Sequence, residues 1–150
     1  MFSLSQTPLD PDALRRELPA TDVGGFVSFE GRVRRRNNKR EVRSLEYEAY
    51  GELAEKEGAR IIAEARGKFA LLSTACVHRV GHLQVGELAV WVGVTAEHRA
   101  DAFAACRYII DEVKARVPIW KKEHYGSGPT EWVTLVAGSK ARAPGTAEDL

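Results

Sequence analysis

The sequence predicts a single α+β domain, a largely antiparallel sheet with two long helices and a short N-terminal helix. Two observations carry this expectation. Stretches 52–69 and 97–116 repeat apolar residues at helical spacing. Shorter β-branched segments alternate with them in the order β-β-α-β-β-α-β-β, after an initial helix. A chain of 150 residues suits one domain and buries roughly 70% of its unfolded surface.

Taken in order, Asp10-Pro11 marks a helix start, with Asp10 as N-cap and Pro11 in the first turn, and Pro19 ends that helix. Gly24-Gly25 opens the strand FVSFEGRVR, whose apolar residues fall on both faces and predict burial on both sides at its start. RRRNNKRE reads as a loop, and VRSLEYEAY as the next strand. Leu53, Ala54, Ile61, Ile62, Ala65 and Phe69 form the apolar side of the first long helix. LLSTACVHRVG and ELAVWVGVT are strands joined by a hairpin-like segment around 83–86. Phe103, Tyr108, Ile109, Ile110 and Val113 supply the apolar side of the second long helix, which Pro118 stops. IWKKEHY, the turn GSGP and TEWVTLV complete the domain at about residue 136. The segment 137–150 is small and polar, and is expected to be a mobile tail.

Composition narrows the function less than it narrows the fold. The net charge of +1 favours neither nucleic acid nor membrane. No apolar stretch approaches the ~20 residues a membrane helix needs, and MFSLSQTPLD lacks a signal-peptide pattern, so a cytoplasmic protein is expected. Cys76 and Cys106 form no CxxC and no Cys/His cluster with ligand spacing, and read as two buried thiols.

Three groups of residues have chemical potential. The stretch 32–43, RVRRRNNKREVR, holds seven basic residues against the single acid Glu41. It attracts phosphate or carboxylate, or is a solvated hairpin. An RNA-binding use would want interleaved aromatics, which it lacks. His98-Arg99 begins the second long helix, where free N–H groups make an anion site; alternatively it is a solvated first turn. His78-Arg79 is the same dipeptide at a strand end, where Arg79 reads as a salt-bridge partner. Lys114 lies in the last turn of that helix, with Lys121 and Lys122 across Pro118. A helix-dipole role accounts for Lys114 alone. If Lys114 and Lys121 share a pocket, two ammonium groups depress each other's pKa, and a neutral amine is a base or nucleophile. His98 and Lys114 stand sixteen positions apart on one helix, about 24 Å at 1.5 Å per residue. They serve different sites, or one site shared by two chains.

The segments FEGRVRRRN, LEYEAY, VHRVGHLQVGE, VTAEHRADAF and IIDEVKARVPIWKKE, in this order across residues 23–133, resemble the large subunit of molybdopterin synthase, the MoaE family. The resemblance implies conversion of cyclic pyranopterin monophosphate to molybdopterin by adding two sulfurs. Sulfur would come from the thiocarboxylated Gly-Gly terminus of a small ubiquitin-like, MoaD-like partner. Two large subunits would form a central homodimer with a small subunit at each end, and no metal or cofactor is implied. Lys114 and Lys121 match the family's catalytic lysines. Arg32, Val33 and Arg34, then His98 and Arg99, then Lys122 and Glu123 match its substrate-binding stretches. Arg34, His98 and Arg99 would hold the phosphate. A family arginine past the position of Trp132 is replaced by Val136, with Lys140 or Arg142 as substitutes. The terminus AEDL is that of a sulfur receiver rather than a carrier, and exchange of both cysteines for serine is expected to spare catalysis. The competing readings are a non-catalytic anion-binding module and an RNA-binding domain using the 32–43 stretch.

Overall fold

A strand, β1 (Phe2–Ser5), opens the chain ahead of the short helix α1 (Pro11–Glu17). The computed structural model describes residues 1–19, 21–37, 40–125 and 131–134. The further elements are β2 (Gly25–Arg32), β3 (Arg36–Asn37), β4 (Arg40–Ala49), α2 (Gly51–Lys68), β5 (Ser73–Arg79), β6 (Gly81–Gln84), β7 (Leu88–Ala96), α3 (Arg99–Arg116), β8 (Ile119–Tyr125) and β9 (Glu131–Thr134). The predicted tail and Val136, Lys140 and Arg142 lie outside the described residues.

The α+β class holds, with two sheets where the sequence suggested one. The first runs β1-β5-β7-β2, antiparallel except for the parallel pair β1–β5. The second runs β3-β4-β8-β9, with β6 on the other edge of β4. What divides them is the segment expected to be a simple hairpin. After β5 the chain turns at Gly81, whose φ of +101° suits glycine. It then pairs β6 with β4 of the second sheet and returns through Gly86 at φ +90°. Glu87 fastens this excursion: its carboxylate accepts the Gln84 N–H at 2.6 Å and lies 3.3 Å from the Arg79 guanidinium. Arg79 is therefore the salt-bridge partner the sequence suggested.

Asp10 caps α1 as expected, its Oδ1 accepting the N–H groups of Asp12 and Ala13 at 3.0 and 3.3 Å. The stretch expected to be loop contains a short hairpin, with Arg36 opposite Glu41 and Asn37 opposite Arg40. A two-residue ladder needs only backbone groups, so charged side chains do not forbid it. The strand β2 lies at an edge of the first sheet. Both faces of its start are covered in part, Phe26 packing with Leu14 on the small cluster of Ala75, Leu88 and Trp91 and Val27 on the main core, while Phe29 is exposed. Gly24 and Gly25 are required where β2 meets α3: a Cβ on Gly24 would lie 1.9 Å from the Glu97 carbonyl oxygen.

The main core joins Ile61, Ile62 and Ala65 of α2, Ile109 and Val113 of α3, Val92 and Val94 of β7, and Leu45 and Leu83 of the second sheet. Ala102 and Ala105 complete the buried face of α3. Phe103, assigned to that face by spacing, is 61% exposed, and Leu53 of α2 is likewise outside the core.

Candidate active site

The register of β8 on β4 decides which side chains can work together. Tyr47 stands opposite Lys121, Leu45 opposite Glu123, and Glu46 opposite Lys122. Because strand residues alternate faces, Lys121 and Glu123 share the inner face with Tyr47, and Lys122 projects from the outer one. The structure thus separates Lys122 from the two residues it neighbours in sequence.

Lys121 Nζ lies 3.0 Å from Glu123 Oε1, with 18% and 2% of the two side chains exposed. The Tyr125 hydroxyl donates to the other Glu123 oxygen, and the Arg40 guanidinium sits 3.6 Å over the Tyr125 ring centroid. Burying such a pair adds little net stability, because desolvation offsets the attraction, but it fixes an ammonium in one place. Sequence suggested that Lys121 and Lys114 act as two like charges; the structure gives Lys121 a carboxylate partner as well. Glu123, expected among the substrate-binding residues, is buried and paired with Lys121.

Tyr47 and His78 connect the two lysines. Their rings meet edge to face at 4.9 Å. Burial pushes the Tyr47 phenol well above its usual range, with the Glu123 charge adding to the effect. His78 is pushed down to about 4, mainly by burial and further by the Lys114 charge, although the Arg79 carbonyl partly counters this. That carbonyl lies 2.8 Å from Nδ1, so the neutral ring carries its proton on Nδ1 and leaves Nε2 as an acceptor. Lys114 itself is exposed and lines an open cleft of roughly 700 Å³ between β2 and α3, together with Val27, Phe29, Phe103 and Arg107. The site thus combines a phenol and a fixed ammonium–carboxylate pair on the inner face, a neutral imidazole packed on that phenol, and an exposed ammonium on the neighbouring cleft whose charge acts on that imidazole. Such a set can bind an anion and move protons beside it.

The arginine stretch divides by role. Arg32 bonds the Gly86 carbonyl at 3.0 Å and Glu30 at 2.6 Å. Val33 is buried, and its backbone exchanges bonds with Glu87 and Gly86. Both hold β2 to the loop after β6, whereas Arg34 is exposed. His98 is the N-cap of α3 without a side-chain capping bond, and Arg99 begins the helix; both are exposed. Lys114 lies sixteen positions after His98 along α3, about 24 Å at 1.5 Å per residue, so His98 and Arg99 do not join it within one chain. Cys76 and Cys106 are free and buried, which raises their thiols to about 12 and about 11.

Two features escaped sequence reading. His78 was read as structural, yet its ring packs on Tyr47 and feels the charge of Lys114; a strand-end histidine carries no pattern that reveals this. Glu46, His82 and His124 meet on the outer face of the second sheet from three strands, a cluster that no local spacing records.

Fold and site together define a two-sheet α+β protein that gathers basic groups around a buried lysine–carboxylate pair. The family model of the MoaE protein matches residues 4–116, and the chain belongs to that family. The molybdopterin synthase catalytic subunit of Pseudomonas aeruginosa is 40% identical over 142 residues, 93% of this chain and 94% of that one. That relative thus extends past the end of the family match, over β8. A rice protein of the same description is 50% identical over 106 residues, 71% of this chain; the match spans 55% of that longer relative. The crystal structure of molybdopterin synthase from Staphylococcus aureus has a TM-score of 0.82 at 37% identity, covering 87% of this chain and 95% of that one. At 20% identity and a TM-score of 0.69, the fold also matches a chain from a protein–protein complex of subunits 1 and 2 of the molybdopterin-converting factor of Helicobacter pylori, covering 96% of this chain and 90% of that one.

Proposed function

We propose that this chain is the catalytic subunit of a molybdopterin synthase, working in the cytoplasm. It converts cyclic pyranopterin monophosphate to molybdopterin with two sulfurs from the thiocarboxylated terminus of a small ubiquitin-like partner. The observation that carries this reading is the inner face of β8, where Glu123 fixes Lys121 opposite Tyr47, whose ring packs on the buried His78 within range of the Lys114 charge. Among the described residues no helix is long and apolar enough to cross a membrane.

The roles follow from placement. Lys121, held by Glu123, stabilises negative charge developing on the pterin side chain as sulfur adds. Lys114, exposed on the cleft wall, meets the incoming partner terminus and transfers protons there. Glu123 is a positioning residue for Lys121. Arg34 of one chain, with His98 and Arg99 of a second copy, binds the phosphate. Two copies are required because α3 is too long for His98 and Lys114 to touch one substrate.

The test mixes this protein with a thiocarboxylated ubiquitin-like partner and cyclic pyranopterin monophosphate, then measures dithiolene product. Formation of molybdopterin, lost with Lys121→Ala, is the expected result. A partner complex that forms but yields none would sink the assignment.

A further inference from the structure

The outer face of the second sheet carries a cluster that the proposed reaction does not use. Glu46, His82 and His124 stand on the adjacent strands β4, β6 and β8. Glu46 is the direct cross-strand partner of His82, and His124 stands opposite Ser44, the next residue on the same face as Glu46. Strand alternation therefore projects all three side chains to one side. Their donor atoms lie within 4.8 Å of one another. Glu46 Oε1 is 3.8 Å from His82 Nδ1 and 3.4 Å from His124 Nε2, and the two rings are 6.0 Å apart.

The two Glu46–histidine separations are long for hydrogen bonds and approach the spacing of donors around one ion, onto which the exposed His82 ring draws in from a set spanning 4.8 Å. Two ligands bonded to one zinc at about 2.0 Å stand roughly 3.3 Å apart in a tetrahedron. Two imidazole nitrogens and a carboxylate oxygen are also a donor set suited to first-row divalent transition ions. Access fits as well. His124 Nε2 is shielded from solvent, while the His82 side chain is 50% exposed, so an ion can enter and keep a water-filled fourth position. Gln84 provides an orienting partner, its side-chain amide 3.4 Å from His82 Nε2. With Nδ1 on the ion, the ring proton sits on Nε2, and the amide oxygen accepts it once the amide is turned. Lys122, cross-strand from Glu46 on this face, is a cation that an arriving ion meets, and its long stem lets the ammonium move aside.

We propose that Glu46, His82 and His124 form a binding site for a divalent transition-metal ion, with zinc as the representative. The ion ties β6 and β8 to β4 on the face directly behind Lys121 and Glu123. Its role is to hold the register that places those two residues, not to touch the substrate.

The experiment titrates Zn²⁺ into the full chain in metal-free buffer against a chromophoric chelator, and records the visible spectrum of the Co²⁺ form. The expected result is one ion per chain at micromolar affinity or tighter, a rise in Tm with zinc, and weakening of about tenfold or more in His82→Ala and in His124→Ala. Glu46→Gln keeps the side-chain shape, so it guards against a folding defect, and it is expected to weaken binding too. Absence of saturable binding by the folded wild type would overturn the proposal. So would zinc affinity unchanged in Glu46→Gln and in the double histidine variant, because the ion would then sit elsewhere.

Discussion

The last turn of α3 is fastened from several directions, and its first turn is open. At the C-terminal end, Arg116 pairs with Glu57 at 2.7 Å and Glu64 at 2.6 Å on α2, and with Glu112 at 3.6 Å on its own helix. The Arg116 bonds hold the Glu64 carboxyl below its usual range. Val113 and Val117 are buried on either side of Lys114 and Arg116. At the N-terminal end, Gly24 and Gly25 pack closely on the backbone, but the His98 and Arg99 side chains extend outward. The difference gives the two ends of one helix different parts in the proposed site. One end is anchored to its own chain and carries a lysine on the cleft wall whose charge acts on the buried His78. The other offers the exposed His98 and Arg99 side chains to something outside the chain, which in the proposed dimer is the partner's substrate.

The contrast can be broken from either end. Lys114→Ala and Lys121→Ala should have the largest effect, lowering sulfur transfer by about 10²-fold or more while the fold persists. Full sulfur transfer in Lys114→Ala would remove that lysine from the mechanism. The next effect is on stability against pH. His78 is buried neutral with a folded pKa of about 4, against 6.5 in the unfolded chain. Its contribution is therefore fully present above the unfolded value and is lost as pH falls from about 6.5 towards about 4, because the unfolded chain binds the proton more readily. The loss reaches at most about 3 kcal/mol. Urea unfolding at pH 7 and pH 5 should show a smaller decline in His78→Gln than in the wild type, and equal slopes would contradict the burial argument. Arg116→Ala should cost about 1–2 kcal/mol by opening the α2–α3 clamp, and should reduce turnover through looser placement of Lys114. Thermal unfolding and initial rates read the two parts. The smallest stability effect belongs to the open end, where Arg99→Ala should stay within about 0.5 kcal/mol of the wild type yet weaken substrate binding.

The two ends also differ in how legible they were in the sequence. The helix boundaries followed from apolar spacing and Pro118, and the Asp10 cap from its residue type, because those signals are local. IWKKEHY matched β8 residue for residue. Local spacing failed where a long-range partner decided the outcome. Nothing in VHRVGHLQ reveals that Gly81 sends the chain into a second sheet, and the short β1 depends on pairing with β5. Phe103 fits the helical pattern and still faces the cleft. In the site, the sequence singled out Lys114 and Lys121 on either side of Pro118 as residue types with chemical potential. Strand alternation could have separated Lys122 from Lys121, but the meeting of Glu123 with Lys121, and of His78 with Tyr47, required the register of β8 on β4 and the crossover after β5.

A mixing experiment tests the shared site most directly. Lys114→Ala supplies a chain with intact His98 and Arg99, and a His98→Ala, Arg99→Ala double variant supplies one with intact Lys114. Each alone should be nearly inactive. Random exchange in an equal mixture puts one complete site in half of the dimers, so about a quarter of wild-type molybdopterin synthesis should return. A mixture that exchanges subunits yet stays as inactive as its parents would contradict the composite site, as would full activity from a chain that remains monomeric.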